Sequence, residues 1–328
     1  MIPLSVLDLA PITEGSDAGT ALRNAADLAS HAERLGYHRF WMAEHHSMPG
    51  IASAATSVAL CHVGNATSTI RIGAGGVMLP NHSPLQIAEQ FGTLDALFPG
   101  RVDLGLGRAP GTDQAAAMAM RRNLTADQFP IDIQELAYYL GDPQPDARVR
   151  AVPGEGSHVP LWILGSSLYG AQLAAHLGLP YAFASHFAPQ QMMEAIRLYR
   201  TTFKPSAALD RPYVMLGFNL FAADSDEEAR LLSTSLQQAF HALRTGNPGK
   251  LKPPVEGFLD QLPMAFRLSL DEIFRCSAIG SPDTVRAQTE AFIERTGADE
   301  LMVTSQIFDH EARKRSFEIL AESVGLAA

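Results

Sequence analysis

Short apolar runs alternate with helical patterns along almost the whole chain of 328 residues, and this alternation is the strongest constraint on its fold. Short apolar runs that end at Gly, Pro or polar residues are typical of buried strands, and apolar residues repeated every three to four positions are typical of helices. The pattern predicts eight strands, over residues 3–10, 39–46, 70–79, 102–106, 159–164, 181–185, 213–222 and 299–305.

Three glycines mark the joints between predicted helices and the strands that follow them. Gly36, Gly178 and Gly297 each stand directly after a helical pattern, where glycine adopts the left-handed cap conformation at little cost. Repeated strand–helix joints of this kind favour a parallel sheet. Eight such units predict an α/β fold, a TIM (β/α)8 barrel, with a doubly wound open sheet as the alternative.

One segment interrupts the alternation. Residues 246–263 contain four prolines and three glycines, which disfavour helix and strand, so we expect an insertion between the seventh and eighth strands. No other stretch has the composition of a linker between domains. The sequence therefore predicts a single domain over residues 1–328.

The composition excludes several classes of function. The formal net charge is −10, from 25 basic and 35 acidic residues, and no stripe of Lys or Arg is present, so we expect no nucleic-acid partner. Cys61 and Cys276 lie far apart in apolar surroundings, which favours reduced thiols and a cytoplasmic location. We find no signal-peptide pattern and no apolar window of about 18 residues, so we expect no membrane association.

Glycine and polar residues cluster after the predicted strands. In a barrel, these carboxyl ends of the strands form the face that carries the active site. The second strand shows the sharpest change, from an apolar run to one acid and two histidines. Residues of this kind are Asp8, Glu44, His45, His46, Gly75, Gly76, His82, Arg108, Gly165, Ser166, Ser185 and His186.

Two of these motifs have both a functional and a structural interpretation. Gly165-Ser166-Ser167 opens a predicted helix, so its N–H groups and hydroxyls could bind a phosphate with help from Arg108. A plain serine N-cap is the commoner explanation of such a motif. Gly75-Gly76 lies within a strand, where glycine allows the close approach of a flat ligand or of a packed neighbour. The residues alone leave both alternatives open.

The histidines indicate acid–base chemistry more than metal binding. Adjacent residues of a strand point to opposite faces, so His45 and His46 are not expected to bind the same ion. His82 and His186 are isolated in the sequence, which is typical of structural histidines. His45 ends a strand beside Glu44 and could donate a proton or a hydrogen bond near neutral pH. We predict no metal site, with a metal-dependent barrel hydrolase that uses Glu44, His45 and His82 as an alternative.

Four longer motifs connect these features. They are AEHH at residues 43–46, IGAGGVMLPNHSPLQIAEQFGTLDALFPGRVDLGLGRAPGTD at 72–113, LGSSLYGAQLAAHLGLPYAFASHF at 164–187 and GADELMVTS at 297–305. Together they resemble the bacterial luciferase-like, flavin-dependent monooxygenases. The resemblance extends over residues 3–308 and implies a TIM barrel with FMN at the carboxyl ends of its strands.

The resemblance also implies roles for individual residues. His45 matches the histidine near the reactive edge of the flavin, where it supports the peroxyflavin. Gly75 and Gly76 match a pair joined by a non-proline cis peptide beneath the flavin ring, and Ser185 matches a serine beside the ring. Arg108 matches an arginine that contacts the polar side or the phosphate of the flavin. The residues that match the phosphate loop are Gly165, Ser166, Tyr169 and Gly170.

Two positions depart from luciferase itself. Gly107 stands where luciferase has a reactive cysteine, and Tyr169 stands where its phosphate loop has a threonine. These departures argue against light emission and against specificity for long-chain aldehydes. Residues 246–263 match the position of a mobile lid in the family.

The resemblance implies an FMN-dependent monooxygenase of the two-component type, which inserts one oxygen atom from dioxygen into a small organic substrate through a peroxyflavin. No GxGxxG motif follows the first predicted strand, so reduced FMN is expected as a co-substrate from a separate flavin reductase. A homodimer through the second and third helices is implied as well. The alternatives are a deazaflavin-dependent reductase or dehydrogenase on the same barrel and a non-catalytic flavin-binding protein.

Overall fold

The computed structural model of the chain describes residues 1–109, 114–120 and 128–326. The strands in these ranges are β1 (Leu4–Asp8), β2 (Arg39–Met42), β3 (Arg71–Met78), β4 (Val102–Gly107), β5 (Leu161–Gly165), β6 (Tyr181–Phe183), β7 (Val214–Ala222), β8 (Ser277–Gly280) and β9 (Glu300–Thr304). The α-helices are α1 (Ala18–Arg34), α2 (Thr56–Asn65), α3 (Pro84–Leu97), α4 (Gln114–Ala119), α5 (Phe129–Leu140), α6 (Leu168–Leu177), α7 (Met192–Thr202), α8 (Asp226–Arg244), α9 (Met264–Phe274), α10 (Pro282–Thr296) and α11 (His310–Val324). Within the described ranges, no helix combines the length and the apolar character that crossing a membrane requires.

Eight of these strands form a closed parallel barrel. Strands β1 to β7 pair with their neighbours in chain order, and β9 closes the barrel by pairing with both β7 and β1. The predicted TIM barrel is therefore confirmed. The doubly wound alternative is excluded, because an open sheet has two unpaired edges.

The remaining strand, β8, does not follow from the sequence pattern. The pattern predicts a helix over residues 269–276, but α9 ends at Phe274 and residues 277–280 form a strand. β7 has nine residues, and its pairing with β9 ends at Asn219. From Asn219 to Ala222 it pairs with β8 instead. This short strand therefore depends on a tertiary contact, which a local sequence pattern does not predict.

The chain between β7 and β9 contains α8, an irregular segment, α9, β8 and α10. The irregular segment, residues 246–263, includes one short 3-10 helix at Leu259–Gln261. Leu251 forms a bridge with Thr13, so the segment is attached to the loop that follows β1. Before β5, α5 begins at Phe129 and ends at Leu140.

Local signals determine where several helices begin and end. Gly36, Gly178 and Gly297 have φ angles of 81°, 65° and 60°, which lie in the left-handed region expected of a glycine that terminates a helix. At the start of α1, the carboxylate of Asp17 accepts a hydrogen bond from the backbone N–H of Thr20 at 2.7 Å. The three glycines therefore end their helices shortly before the next strand, and Asp17 marks the start of α1.

Charged side chains fill one layer of the barrel interior, at the amino ends of the strands. Arg39 donates hydrogen bonds to Asp103 at 2.7 Å and to Glu300 at 2.9 Å, and Arg71 donates to Asp103 at 2.6 Å. Asp103 and Glu300 are fully buried. Because each charge faces an opposite partner, burial costs less than it would for isolated ions. The network connects β2, β3, β4 and β9 across the barrel.

An apolar layer covers these charges on the side of the carboxyl ends. Trp41 and Trp162 meet edge to face in this layer, with ring centroids 5.2 Å apart. The indole N–H of Trp41 donates to Asp103 at 3.2 Å, so the charged layer holds the apolar one in place. Other members of the layer are Leu7, Ala182, Met215 and Met302.

Replacement of Asp103 by alanine tests the charged layer. Asp103→Ala leaves the buried guanidinium of Arg39 and that of Arg71 without this carboxylate, so we expect the free energy of unfolding to fall by about 3–5 kcal/mol. Urea unfolding followed by circular dichroism measures the change. The matched control is Asp142→Ala. Asp142 pairs with His158 at 3.0 Å, but its side chain is 83% exposed, and we expect a loss below about 1 kcal/mol. Equal losses in the two variants would contradict this account.

Candidate active site

A cavity of about 500 Å³ lies at the carboxyl ends of the barrel strands. Its base is the apolar layer, from which Leu7, Trp41 and Met215 reach the cavity surface. A volume of this size is typical of small-molecule sites. The predicted site residues that line the cavity are His45, Gly75, Gly76, Arg108, Gly165, Ser166, Tyr169 and Gly170.

The glycines of β3 let the backbone form part of the cavity surface. Gly75 and Gly76 are joined by a cis peptide bond, as the resemblance implies. A Cβ atom on Gly76 would lie 2.6 Å from the carbonyl oxygen of Gly105, and one on Gly75 would lie 2.8 Å from Leu7. Both interpretations of the motif therefore hold together. Packing excludes side chains at these positions, and the bare backbone lines the cavity.

The start of α6 forms a polar end of the cavity. Gly165, Ser166 and Ser167 precede this helix, and the side chain of Ser167 makes no capping hydrogen bond, so the plain N-cap explanation does not apply to it. The first N–H groups of a helix lack partners within the helix and carry partial positive charge. The guanidinium of Arg108 lies 4.1 Å from the centre of the Tyr169 ring, which places a full positive charge near the same end. This combination suits a phosphate group.

The two adjacent histidines after β2 have different surroundings. His45 lines the cavity, whereas His46 is not among the lining residues and its Nε2 lies 2.7 Å from Oε1 of Glu44. Nε2 of His82 lies 2.8 Å from the same oxygen, so this histidine, isolated in the sequence, makes the kind of contact expected of a structural histidine. Burial opposes ionisation of Glu44, yet its contacts with His82 and His46 hold the pKa of that carboxyl below its usual value.

Glu44, His46 and His82 are also the side chains at this strand end that could hold a metal ion. One ligand atom from each lies within 4.8 Å of the others, but Oε1 of Glu44 is already engaged by both histidines. His45 does not belong to the group. The set of Glu44, His45 and His82 that the hydrolase alternative needs is therefore not brought together in the described part of the chain. The group instead ties the end of β2 to the residues after β3.

The end of β6 differs from the prediction. β6 stops at Phe183, and Ser185 is buried with its hydroxyl donating to the carbonyl oxygen of Gly217 at 2.7 Å. Ser185 is thus placed behind the cavity surface, and the next residue, His186, lines the cavity in its place. The sequence offers one signal for this arrangement, because a glycine inside a long apolar strand, as at Gly217, marks a close approach.

His186 packs directly on the backbone of β7. A Cβ atom on Gly217 would lie 2.1 Å from Nδ1 of His186, so the ring occupies space that only glycine leaves open. Nδ1 is buried and has no hydrogen-bond partner among the described residues. Burial, together with the nearby His45, lowers the pKa of His186 to about 4. The cavity surface therefore contains a neutral imidazole at neutral pH.

A family model described as luciferase-like monooxygenase matches residues 2–300. The chain belongs to the luciferase-like monooxygenase family. A luciferase-like monooxygenase of Escherichia coli K12 is 53% identical over 320 residues, which cover 97% of this chain and 96% of the relative. The N-acetyl-S-alkylcysteine monooxygenase of Bacillus subtilis 168 is 31% identical, and the match covers 99% of this chain and 98% of the relative. The predicted enzyme class, an oxidoreductase that incorporates molecular oxygen, is confirmed.

Solved structures share the fold of this luciferase-like monooxygenase. The structure of apo-MsnO8 has a TM-score of 0.88 and 34% identity, with 99% of each chain covered. The oxygenating constituent of 3,6-diketocamphane monooxygenase, in complex with FMN, has a TM-score of 0.71 at 19% identity, covering 98% of this chain and 97% of its own. An F420-dependent secondary alcohol dehydrogenase has a TM-score of 0.72 at 14% identity. The match covers 100% of this chain and 99% of the dehydrogenase chain. The last two show the fold alone, and their cofactors differ.

Gly217→Ala tests the packing of His186. The added methyl group would displace the ring, so we expect the pKa of His186 to rise from about 4 towards its ordinary value of 6.5. NMR titration of isotope-labelled histidine, assigned with a His186→Phe variant, measures the shift. Gly249→Ala is the matched control, because Gly249 also lines the cavity and a Cβ atom there has no neighbour within 4 Å. An unchanged titration of His186 in Gly217→Ala would refute the proposed contact.

The same pKa shift makes the fold sensitive to acid. His186 has a lower pKa in the folded protein than in the unfolded chain, so the unfolded chain binds more protons between about pH 6.5 and pH 4. The stability that the neutral ring contributes is therefore complete above this range and is lost as the pH falls through it. For His186→Phe we expect a shallower loss of unfolding free energy, measured by urea unfolding at several pH values. Parallel curves for variant and wild type would count against the shift.

Proposed function

We propose that this protein is a two-component, FMN-dependent monooxygenase that transfers one oxygen atom of dioxygen to a small organic molecule. The observation that carries the proposal is the convergence of three features on one cavity: the bare backbone of β3, the polar end at α6, and His45. Each feature has a structural explanation by itself. Together they suit a flat cofactor that carries a phosphate.

The two ends of the cavity fit different parts of FMN. Arg108 offers a permanent positive charge, and Ser166 and the first N–H groups of α6 offer hydrogen-bond donors, which together would hold the phosphate. The ring contact between Arg108 and Tyr169 orients the guanidinium. The backbone of Gly75 and Gly76 offers a surface without side chains, against which a flat ring would lie.

When bound, reduced FMN would supply the two electrons that let one oxygen atom of dioxygen enter the substrate while the other leaves as water. The chain supplies the environment for this chemistry. His45 can hold or donate a proton at the cavity surface, and the neutral His186 can accept or donate a hydrogen bond. Trp41 and Met215 keep the base of the cavity apolar, which excludes water from the site.

The sequence after β1 bears on the source of the electrons for FMN. Residues 9–17, which follow β1, are LAPITEGSD and lack the GxGxxG motif with which a first strand–helix turn binds a nicotinamide dinucleotide. We therefore infer that a separate flavin reductase supplies reduced FMN. On this account reduced FMN is a co-substrate that arrives and leaves with each turnover.

We also infer a homodimer through α2 and α3. Val58 on α2 is 71% exposed and Leu97 on α3 is 56% exposed. Association through these neighbouring helices would remove apolar side chains from water.

Anaerobic titration with reduced FMN and, separately, with reduced F420 tests the cofactor, because an F420-dependent reductase is the alternative on this fold. We expect FMN to bind at least tenfold more tightly. Arg108→Ala should weaken FMN binding by about 10- to 100-fold, because charge-assisted hydrogen bonds to the phosphate are lost. Tighter binding of F420 would replace the proposed function with hydride transfer.

Admission of air to the FMN complex tests the oxygen chemistry. We expect a transient absorbance that differs from those of oxidised and reduced FMN and that decays faster in His45→Ala. His46→Gln is the matched control, because His46 does not line the cavity and glutamine can keep the hydrogen bond to Glu44. If the wild type shows no transient, the proposed oxygen chemistry is wrong. If the transient of His45→Ala decays at the same rate as that of the wild type, the role of His45 is wrong. Reoxidation without oxygenated product across a substrate panel would favour the non-catalytic alternative.

A further inference from the structure

One side of the cavity is an apolar surface formed by α8 and the segment that follows it, and we call it the apolar side. Its members on α8 follow the spacing i, i+3, i+4 and i+7, so they share one face of the helix. Two residues of the irregular segment extend this surface. The apolar side comprises Leu236, Ala239, Phe240, Leu243, Pro248 and Leu251.

Backbone contacts hold the apolar side in place. The amide of Leu251 donates to the carbonyl oxygen of Ile12 at 2.9 Å, and the amide of Glu14 donates to the carbonyl oxygen of Leu251 at 2.8 Å. A Cβ atom on Gly50 would lie 2.2 Å from the carbonyl oxygen of Gly249, so the segment also packs closely on the loop after β2. The apolar side is therefore part of the formed cavity.

A permanent charge lies at another part of the cavity. Among the described residues that line it, Arg108 alone carries a permanent charge, and its guanidinium lies over Tyr169 near the start of α6. Under the proposed function, this arginine binds the phosphate of the cofactor. The apolar side then offers no cation to a carboxylate, sulfonate or phosphate, and an unpaired anion is costly to bring into apolar surroundings.

We propose that the substrate is an uncharged organic molecule whose apolar alkyl or aryl body packs against the apolar side. The inference rests on the proposed function, because that function assigns Arg108 to the cofactor. Two uncharged polar groups of the cavity surface, the imidazole of His186 and the amide of Gln306, can exchange a hydrogen bond with a neutral group such as a carbonyl. An anionic substrate would need a cation that the apolar side does not contain.

Two matched ligand pairs test the proposal by calorimetric titration of the FMN-loaded protein. Cyclohexanone is compared with cyclohexanecarboxylate, and thioanisole with (phenylthio)acetate, so that the members of each pair differ chiefly in an anionic group. We expect the neutral member to bind at least tenfold more tightly in both pairs. Equal or tighter binding of the anions, or no saturable binding of either neutral ligand, would overturn the proposal.

A substitution on the apolar side should weaken the preference for neutral ligands. Leu243 is 48% exposed, so an arginine at this position can reach water and the helix should remain folded, which circular dichroism checks. In Leu243→Arg we expect the affinity for both anions to rise at least tenfold relative to their neutral partners. Ala242→Arg is the matched control, because it adds the same charge one position away and off the apolar side. Equal effects of the two substitutions would show that contact with the apolar side is not involved, and would overturn the proposal.

The cofactor-free protein separates this proposal from the proposed function. Without FMN, no phosphate lies at the end of the cavity where Arg108 is placed, so we expect the preference for neutral ligands to narrow. If FMN fails to bind, the proposed function is wrong. If FMN binds and the anions still bind as tightly as the neutral ligands, only the substrate class is wrong.

If supplied with reduced FMN, the enzyme should also convert thioanisole to its sulfoxide, with one oxygen atom of dioxygen on sulfur and the other in water.

Discussion

The buried carboxylate of Asp103 links the stability of the barrel to the shape of the cavity. It accepts a hydrogen bond from the indole N–H of Trp41 at 3.2 Å and so holds the indole within the barrel. A Cβ atom on Gly73 would lie 2.6 Å from that nitrogen, and one on Gly75 would lie 3.1 Å from the indole ring. The indole therefore requires glycine in β3, and Gly75 in turn leaves bare backbone at the cavity. Charge at the amino ends of the strands thus shapes the site at their carboxyl ends.

Most of the barrel could be predicted because its signals are local. Each barrel strand is a short apolar run, and Gly36, Gly178 and Gly297 mark three of the joints with left-handed backbone. The strand β8 could not be found in this way, because SAIG has no distinctive pattern and pairs only where β7 extends beyond β9. Such a contact depends on the relative lengths of elements that lie far apart in the sequence.

The same distinction between local signals and long-range contacts applies to the residues of the site. His45 and Arg108 could be placed near one cavity because a barrel gathers the ends of its strands. The alternation of side chains along a strand could not predict which way Ser185 and His186 face, because β6 has three residues and ends before them. The contact of His82 with Glu44 joins residues 38 positions apart and leaves no local trace in the sequence. Sequence patterns therefore located the face of the site but not the side chains that long-range packing brings to it.

The way Leu251 is anchored bears on how specificity can change on this scaffold. Its hydrogen bonds to Ile12 and Glu14 use only main-chain groups, which every residue type except proline can supply in full. The side chains that face the cavity from α8 can therefore be exchanged without releasing the segment beside them. A new preference for ligands could arise by single substitutions on one helical face, while the phosphate end and the architecture around it stay as they are.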